Sequence, residues 1–208
     1  MLDFPYVMGG SGESFSFTFD GKFQYPEEVV IPNTVTTLQS NSAAGFYQHT
    51  EIKKVTFAPG STVTGGTRYG STFMSCTGLE YAELPPSFVQ GSSQFFRGCT
   101  ALKTVKFNST GITGYLQTPD AAHMLYLCTA LEDVQVPSGW TTDLAICNDT
   151  MSRYFTTVLT HDSMVALINN LYDYSGGTAH TLTLGSANLS RLSAAEIAVA
   201  TNKNWTVS

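Results

Sequence analysis

Apolar and polar residues follow one recurring frame through the middle of the chain. Each copy has an aromatic or large apolar residue, then a Cys or Thr, then apolar positions spaced as L-x-x-L-x-L, and four segments carry it: 46–57, 73–84, 96–107 and 124–136. The middle apolar residues of the copies lie 27, 23 and 29 residues apart: Val55, Ala82, Val105 and Val134. Steps of roughly 20–50 residues are typical of stacked repeats. The chain is therefore predicted to be a repeat array.

Within each copy the apolar residues alternate with polar ones, as in Val55-Thr-Phe57 and Val105-Lys-Phe107. A period of two is typical of a strand that is buried on one face. We therefore expect one short parallel strand per rung, with the apolar positions of all rungs forming a continuous core. The same frame extends to other segments and gives about eight rungs in all: 29–31, 155–158, 181–184 and 205–207.

The connections between rungs change along the chain. Before Cys147 they are rich in Gly, Ser, Thr and Pro, which predicts a mostly irregular convex side. Met164–Leu171 has the apolar spacing of an amphipathic helix, with Thr160 or Asp162 as its cap. Ser193-Ala-Ala-Glu196 has the spacing of a capping box and predicts a second helix that runs to about residue 202.

Two segments depart from the regular rungs. Residues 1–24, with the flexible stretch Met8-Gly-Gly-Ser-Gly-Glu13, are expected to form an N-terminal cap or joint. Residues 25–208 then form the repeat domain. The connection between Leu102 and Leu131 is enlarged, so we expect residues 108–123 to protrude as a loop that helps to hold a ligand.

Composition narrows the classes of partner. With 10 basic and 16 acidic residues, the formal net charge is −6, which is the wrong sign for nucleic acid or an anionic membrane surface. No apolar run of about 20 residues is present, so membrane insertion is not expected. The first residues, Met1-Leu-Asp-Phe-Pro-Tyr, show no basic and apolar regions of a secretory signal.

Three cysteines occupy the same place in successive copies: Cys76, Cys99 and Cys128. A free cysteine is among the most buried residue types, so these are predicted to be structural. The gaps between the four cysteines are 23, 29 and 19 residues, unlike the close pairs of a zinc site. Neither a metal nor another cofactor is expected. An inter-rung disulfide remains the alternative.

The sequence contains no motif that clearly indicates a catalytic site. Thr160-His161-Asp162-Ser163 has the residue types of a hydrolytic triad, but neighbours in sequence cannot adopt its geometry, and a helix start explains them better. The other histidines lie in different rungs: His49, His123 and His180. Three aromatic residues are candidates to line a sugar site: Tyr47, Tyr126 and Trp140. No pair of carboxylates for glycoside hydrolysis can be nominated from spacing, so an enzyme is not expected.

The polar residues between buried strand positions are predicted to form two columns on the outer side of the strands. One column contains Lys54, Tyr81, Thr104, Asp133 and Thr157, and the other contains Thr56, Glu83, Lys106, Gln135 and Leu159. Solenoids commonly bind partners on such a sheet face. The candidate ligand-binding residues are therefore Lys54, Tyr81, Glu83, Lys106, Asp133 and Gln135.

The copies Phe-x-x-Cys-x-x-Leu-x-x-Val-x-Phe/Leu resemble BspA-like leucine-rich repeats of bacterial surface proteins, and the segments 159–171, 181–189 and 200–205 resemble a C-terminal repeat of such proteins and of prophages. The resemblance implies a right-handed α/β solenoid. It also implies an adhesion module, secreted or at the cell surface, that binds a host or bacterial surface protein or a glycan. A phage or prophage tail-associated structural or receptor-binding component is the alternative.

Overall fold

The computed structural model describes residues 27–36, 38, 46–65, 71–117, 123–146 and 158–208. The predicted N-terminal cap at residues 1–24 lies outside the described residues. So do Cys147 and Thr157, together with most of the predicted rung at 155–158.

The described residues contain ten short strands and three helices. The strands are β1 (Glu28–Ile31), β2 (Lys54–Phe57), β3 (Tyr81–Leu84), β4 (Gln90–Gly91), β5 (Thr104–Phe107), β6 (Thr113–Gly114), β7 (Asp133–Gln135), β8 (Leu144–Ala145), β9 (His180–Thr183) and β10 (Trp205–Val207). The helices are α1 (His161–Asn170), α2 (Ser186–Leu189) and α3 (Ala194–Asn202).

Five of the strands form one parallel sheet in the order β1-β2-β3-β5-β7. Chain order is kept, and each recurring segment supplies the next strand. The register aligns one buried residue from each strand, and all five are at most 1% exposed: Val29, Val55, Ala82, Val105 and Val134. The predicted parallel strands at these segments, with their alternating burial, are confirmed.

A second row of strand pairing was not predicted. Strand β4 pairs in parallel with β6, and Gly65 forms a bridge to Gln90. Backbones approach so closely here that a Cβ on Gly65 would lie 2.0 Å from the carbonyl oxygen of Gln90. The expectation of a single strand per rung is therefore wrong for these rungs, because glycine lets a second backbone row pair without side chains between the strands.

A third row of backbone pairing runs along the turns that contain the cysteines. The amide of Phe73 donates to Phe95 O, and the amide of Ser75 donates to Arg97 O. The first copy pairs with the second in the same way, from Phe46 to Thr72 O and from Gln48 to Met74 O. His49, three residues after Phe46, thus takes the place that the cysteines take in later copies. The expectation of a Cys or Thr at this place is therefore wrong for the first copy.

The C-terminal strands do not extend the five-stranded sheet, which corrects the single frame predicted from sequence. Strands β8, β9 and β10 form their own parallel sheet in the order β10-β9-β8. The start of α1 takes the place beside β7 instead. Thr160 donates its amide to Glu132 O at 2.7 Å, and Ser163 Oγ accepts the amide of Val134 at 2.9 Å. These bonds satisfy backbone groups that another strand would otherwise pair with.

The two predicted helices are confirmed with their caps. Thr160 Oγ accepts the amide of Ser163 at the start of α1, and Ser193 and Glu196 form the capping box of α3. At the end of α1, Lys203 Nζ donates to three carbonyls at 2.7–3.2 Å: Ile168, Asn169 and Leu171. A cation there complements the helix dipole. The short helix α2 was missed, and it has no side-chain cap to signal it.

The described part of the predicted protruding loop belongs to the core. Ile112 and Leu116 are fully buried, and the intervening Thr113–Gly114 forms β6. His123 is fully buried as well. A loop projecting from residues 108–117 is therefore a wrong prediction, because its apolar side chains continue the core under the second row of strands. Residues 118–122 lie outside the described residues.

None of the helices in the described part of the chain has the length and apolar character needed to cross a membrane.

Candidate binding face of the parallel sheet

The outward residues of the five-stranded sheet form the predicted columns. Pairing places Lys54 opposite Tyr81, Tyr81 opposite Thr104, and Thr104 opposite Asp133. In the second column, Glu83 lies opposite Lys106, and Lys106 opposite Gln135. We call the outward side of β2, β3, β5 and β7 the strand face. The predicted register is confirmed for these residues, and their binding role stays a prediction.

One predicted member of the second column is in the wrong place. Leu159 is fully buried rather than outward, and its amide donates to Asn188 Oδ1 at 3.0 Å. The period of two fails here because the chain enters α1 instead of adding a sixth strand to the sheet.

Opposite charges on neighbouring rungs pair across or beside the strand face. Lys106 Nζ lies 2.8 Å from Glu83 Oε1, Lys103 Nζ lies 3.3 Å from Glu80 Oε2, and Lys54 lies 3.6 Å from Glu28. The pairs link residues that the register makes neighbours, or residues just before the strands. Cross-strand pairs of this kind each contribute roughly 0.2–1 kcal/mol, so they order the face more than they stabilise the fold.

Glu83 is the best-connected residue of the strand face. Its Oε1 accepts from Lys106 and from Asn108 Nδ2 at 3.0 Å, while Oε2 accepts the Tyr81 hydroxyl at 2.9 Å. Hydrogen bonds from Lys106 and Asn108 favour the ionised carboxylate and lower its pKa to about 2. Burial, together with donation to Glu83, raises the pKa of Tyr81 to about 12. Both side chains therefore hold fixed charge states near neutral pH.

Stability is expected to depend on the protonation of Glu83. Because its folded pKa is depressed, its contribution is present above the unfolded value of about 4.3 and is lost as the pH falls towards about 2. For this partly exposed group we expect a loss of about 1 kcal/mol. Urea unfolding of wild type and Glu83→Gln at several pH values from 7 to 2 measures it. A constant difference in stability between the two proteins across that range would contradict the assignment.

Asn108 was missed as a functional candidate in the sequence. It lies directly after β5, and its amide nitrogen also donates to Leu84 O at 2.9 Å. The amide thus ties the end of β3 to the start of the next connection. One indication of this role was present in the sequence: Asn108 follows a predicted strand directly, so its side chain can reach the end of the neighbouring strand.

Cysteine side chains hold the turns together from inside. Each thiol donates to a carbonyl one rung back at 2.8–3.2 Å: Cys76 to Phe46, Cys99 to Phe73, and Cys128 to Phe96. All three are buried free thiols. Burial raises the pKa of Cys76 to about 12 and raises the pKa values of Cys99 and Cys128 as well. Their structural role is favoured over reactivity because the thiolate is the nucleophilic form.

The three thiols are expected to be unreactive in the folded protein. A Cys147→Ser variant isolates them, and its reaction with a disulfide reagent at pH 8 is expected to be about a thousandfold or more slower when folded than in guanidinium, because the thiolate fraction is so low. After unfolding, three thiols should react. Fast reaction of any of them in the folded protein would show that these thiols are not buried and hydrogen-bonded as described.

The residues with triad-like chemistry have structural roles. Thr160 caps α1, and Ser163 accepts the amide of Val134. His161 Nε2 lies 3.1 Å from Glu196 Oε1 and links α1 to α3. These side chains are occupied by contacts that fix the helices. In the described part of the chain, no group of three or more His, Cys, Asp or Glu side chains is arranged to hold a metal ion.

Of the three aromatic residues considered for a sugar site, Tyr126 and Trp140 are buried, and Tyr47 is half-buried. Trp140 is fully buried and packs on Phe107, with ring centroids 6.0 Å apart. Tyr126 is 7% exposed, and the Arg97 guanidinium lies over its ring, with Cζ 5.1 Å from the ring centroid. These residues therefore belong to the packing of the rungs.

Comparison with known proteins identifies the repeat. A family model described as the BspA-type leucine-rich repeat region matches residues 15–142 in six copies. The match includes all five strands of the parallel sheet and therefore the whole strand face. No curated protein and no solved structure matches the chain significantly.

Proposed function

The chain belongs to the BspA-type leucine-rich repeat family, and from this premise we propose that it is a non-catalytic binding module, secreted or displayed at a bacterial cell surface. Its strand face holds a protein or glycan on a host or bacterial surface. The family indicates a binding or adhesion type of module, and leucine-rich repeats are typically non-catalytic. The assignment of binding to the strand face depends on the burial and bonding of its side chains.

The proposed architecture is a right-handed solenoid over residues 25–208. Two observations support it. The sheet order β1-β2-β3-β5-β7 follows the chain, as expected when each repeat adds to the one before. The connections between these strands also carry their own parallel pairing, seen between β4 and β6.

The single observation that carries the functional proposal is the ordered polar surface of four adjacent strands. Lys54, Tyr81, Lys106 and Asp133 are half-buried rather than fully solvated. Hydrogen bonds and an ion pair hold three side chains of the face in place: Tyr81, Glu83 and Lys106. A surface already ordered in the free protein loses less side-chain entropy when a partner binds. Aromatic and charged side chains on such a surface are the usual anchors of protein interfaces.

Binding to arrays of matrix proteins, bacterial surface proteins and glycans tests the proposal. Once a ligand is found, the combined variant Tyr81→Ala, Glu83→Gln, Lys106→Met and Asp133→Asn is expected to weaken binding about 30-fold or more, the effect of losing a hot spot of about 2 kcal/mol. The matched control Asp173→Asn removes an exposed carboxylate beyond α1 and should change affinity less than twofold. Unchanged binding by the combined variant would remove this face as the site.

A further inference from the structure

A concave pocket of about 230 Å³ lies at the carboxyl ends of β2 and β3, beside the strand face. Polar and apolar surfaces contribute about equally to its walls: Phe57 and Pro86 are among the apolar lining residues, and Glu83 and Asn108 supply polar groups. Pockets for small molecules and cofactors usually occupy roughly 300–1,000 Å³. This smaller volume suits one side chain of a protein partner.

Two side-chain oxygens of the pocket, Glu83 Oε2 and Asn108 Oδ1, can accept a further hydrogen bond. Both amide protons of Asn108 have acceptors, Glu83 Oε1 and Leu84 O, and within the described part of the chain no donor bonds to Asn108 Oδ1. Glu83 Oε2 accepts one hydrogen bond, from Tyr81. Each of these oxygens has a further lone pair. A guest with two N–H donors side by side can therefore bond to both of these oxygens.

Charge selects the same kind of guest. Glu83 is the one ionisable residue among those that line the pocket, and the chain as a whole carries a net charge of −6. Lys106 bonds to Glu83 Oε1 from the neighbouring strand and compensates part of its charge, while Glu83 Oε2 keeps a lone pair for the guest. A planar guanidinium has five N–H donors and no acceptor, and it packs well on flat side chains.

We propose that this pocket binds an arginine side chain of the protein partner. The guanidinium donates to Glu83 Oε2 and Asn108 Oδ1, while the arginine methylenes pack against Phe57, Pro59 and Pro86. The assignment rests on the proposed function and refines it, because it selects a protein rather than a glycan as the partner and places the anchor at one end of the strand face.

Nuclear magnetic resonance titration with two small probes tests the pocket without a known partner. Nα-acetyl-arginine methylamide is expected to shift the backbone amide signals of 56–58, 60–61 and 83–84 saturably, with a millimolar Kd. The citrulline analogue has nearly the same shape and no charge, and should bind at least tenfold more weakly. Glu83→Gln should weaken arginine binding at least tenfold. Glu80→Gln, which also removes a glutamate paired with a lysine but lies outside the pocket, should change it less than twofold.

The outcomes separate the pocket from the function as a whole. Equal binding of the citrulline and arginine probes, or undiminished arginine binding by a folded Glu83→Gln variant, would overturn the arginine assignment. If the strand-face variants still abolish binding of a protein found in the array screen, the proposed function stands and only the pocket's occupant is wrong. If the arginine probe binds as expected while the combined variant, which includes Glu83→Gln, binds its partner normally, neither the strand face nor the pocket holds that partner, and both proposals are wrong.

Discussion

Replacing Phe73 with Ala is expected to lower the free energy of unfolding by about 3–5 kcal/mol, the usual cost of deleting a fully buried aromatic ring. Phe73 has no exposed surface. Its ring stacks on Phe46 at 5.2 Å and on Phe96 at 5.8 Å, and it meets Phe95 edge-on at 5.5 Å. Because these contacts join three successive copies, the cavity would remove packing between rungs as well as within one.

This loss is a large share of the roughly 5–15 kcal/mol that stabilises a typical protein. Urea unfolding followed by circular dichroism measures it, and Val89→Ala is the control, since Val89 is 47% exposed and surface changes usually stay within about 0.5 kcal/mol. A cost below about 1 kcal/mol for Phe73→Ala would show that the phenylalanine stack does not hold the rungs together.

Replacing Asn188 with Ala is expected to cost about 2–4 kcal/mol. Its buried side chain accepts the amide of Leu159 at 3.0 Å and donates to Leu184 O at 2.9 Å. Removing it leaves two buried backbone groups without these partners, and each such loss costs about 1–3 kcal/mol. The substitution thereby removes one of the links between the segment that follows the five-stranded sheet and the short helix α2.

Hydrogen exchange shows where the Asn188→Ala variant is weakened. The amide of Leu159 should exchange at least tenfold faster relative to wild type, beyond the change expected from global stability. Ser190→Ala serves as the control. It removes an exposed hydrogen bond to Ala187 O, three residues away in sequence, and should change the free energy of unfolding by no more than about 0.5 kcal/mol. Full retention of stability and of Leu159 protection in Asn188→Ala would disprove this role.

The apolar core of the repeats could be predicted because its residues recur at regular spacing in the sequence. The apolar spacing located β2, β3, β5 and β7, and their alternation gave the outward columns that pair in register. The helix starts at Thr160 and Ser193 were visible because a hydroxyl at the cap has a local partner. These features depend on few residues close in sequence.

The remaining features depend on residues far apart in sequence. Strands β4 and β6 are two residues long, too short to show a period. The hydrogen bond from the Leu159 amide to the Asn188 side chain joins residues 29 apart in sequence. This bond helps to explain why Leu159 is buried. The convergence of Glu83 and Asn108 at one pocket likewise needs the stacking of two rungs, although both residues lie near strand ends.

Chemical footprinting of the complex tests the strand face most directly. Once a partner has been found, carboxylates of the free and bound protein are labelled with a carbodiimide and an amine, and the modified sites are identified by mass spectrometry. We predict that binding protects Glu83 and Asp133 and leaves Asp162, Asp173 and Glu196 labelled as in the free protein. Protection confined to the last three residues, with Glu83 and Asp133 still labelled, would contradict binding by the strand face.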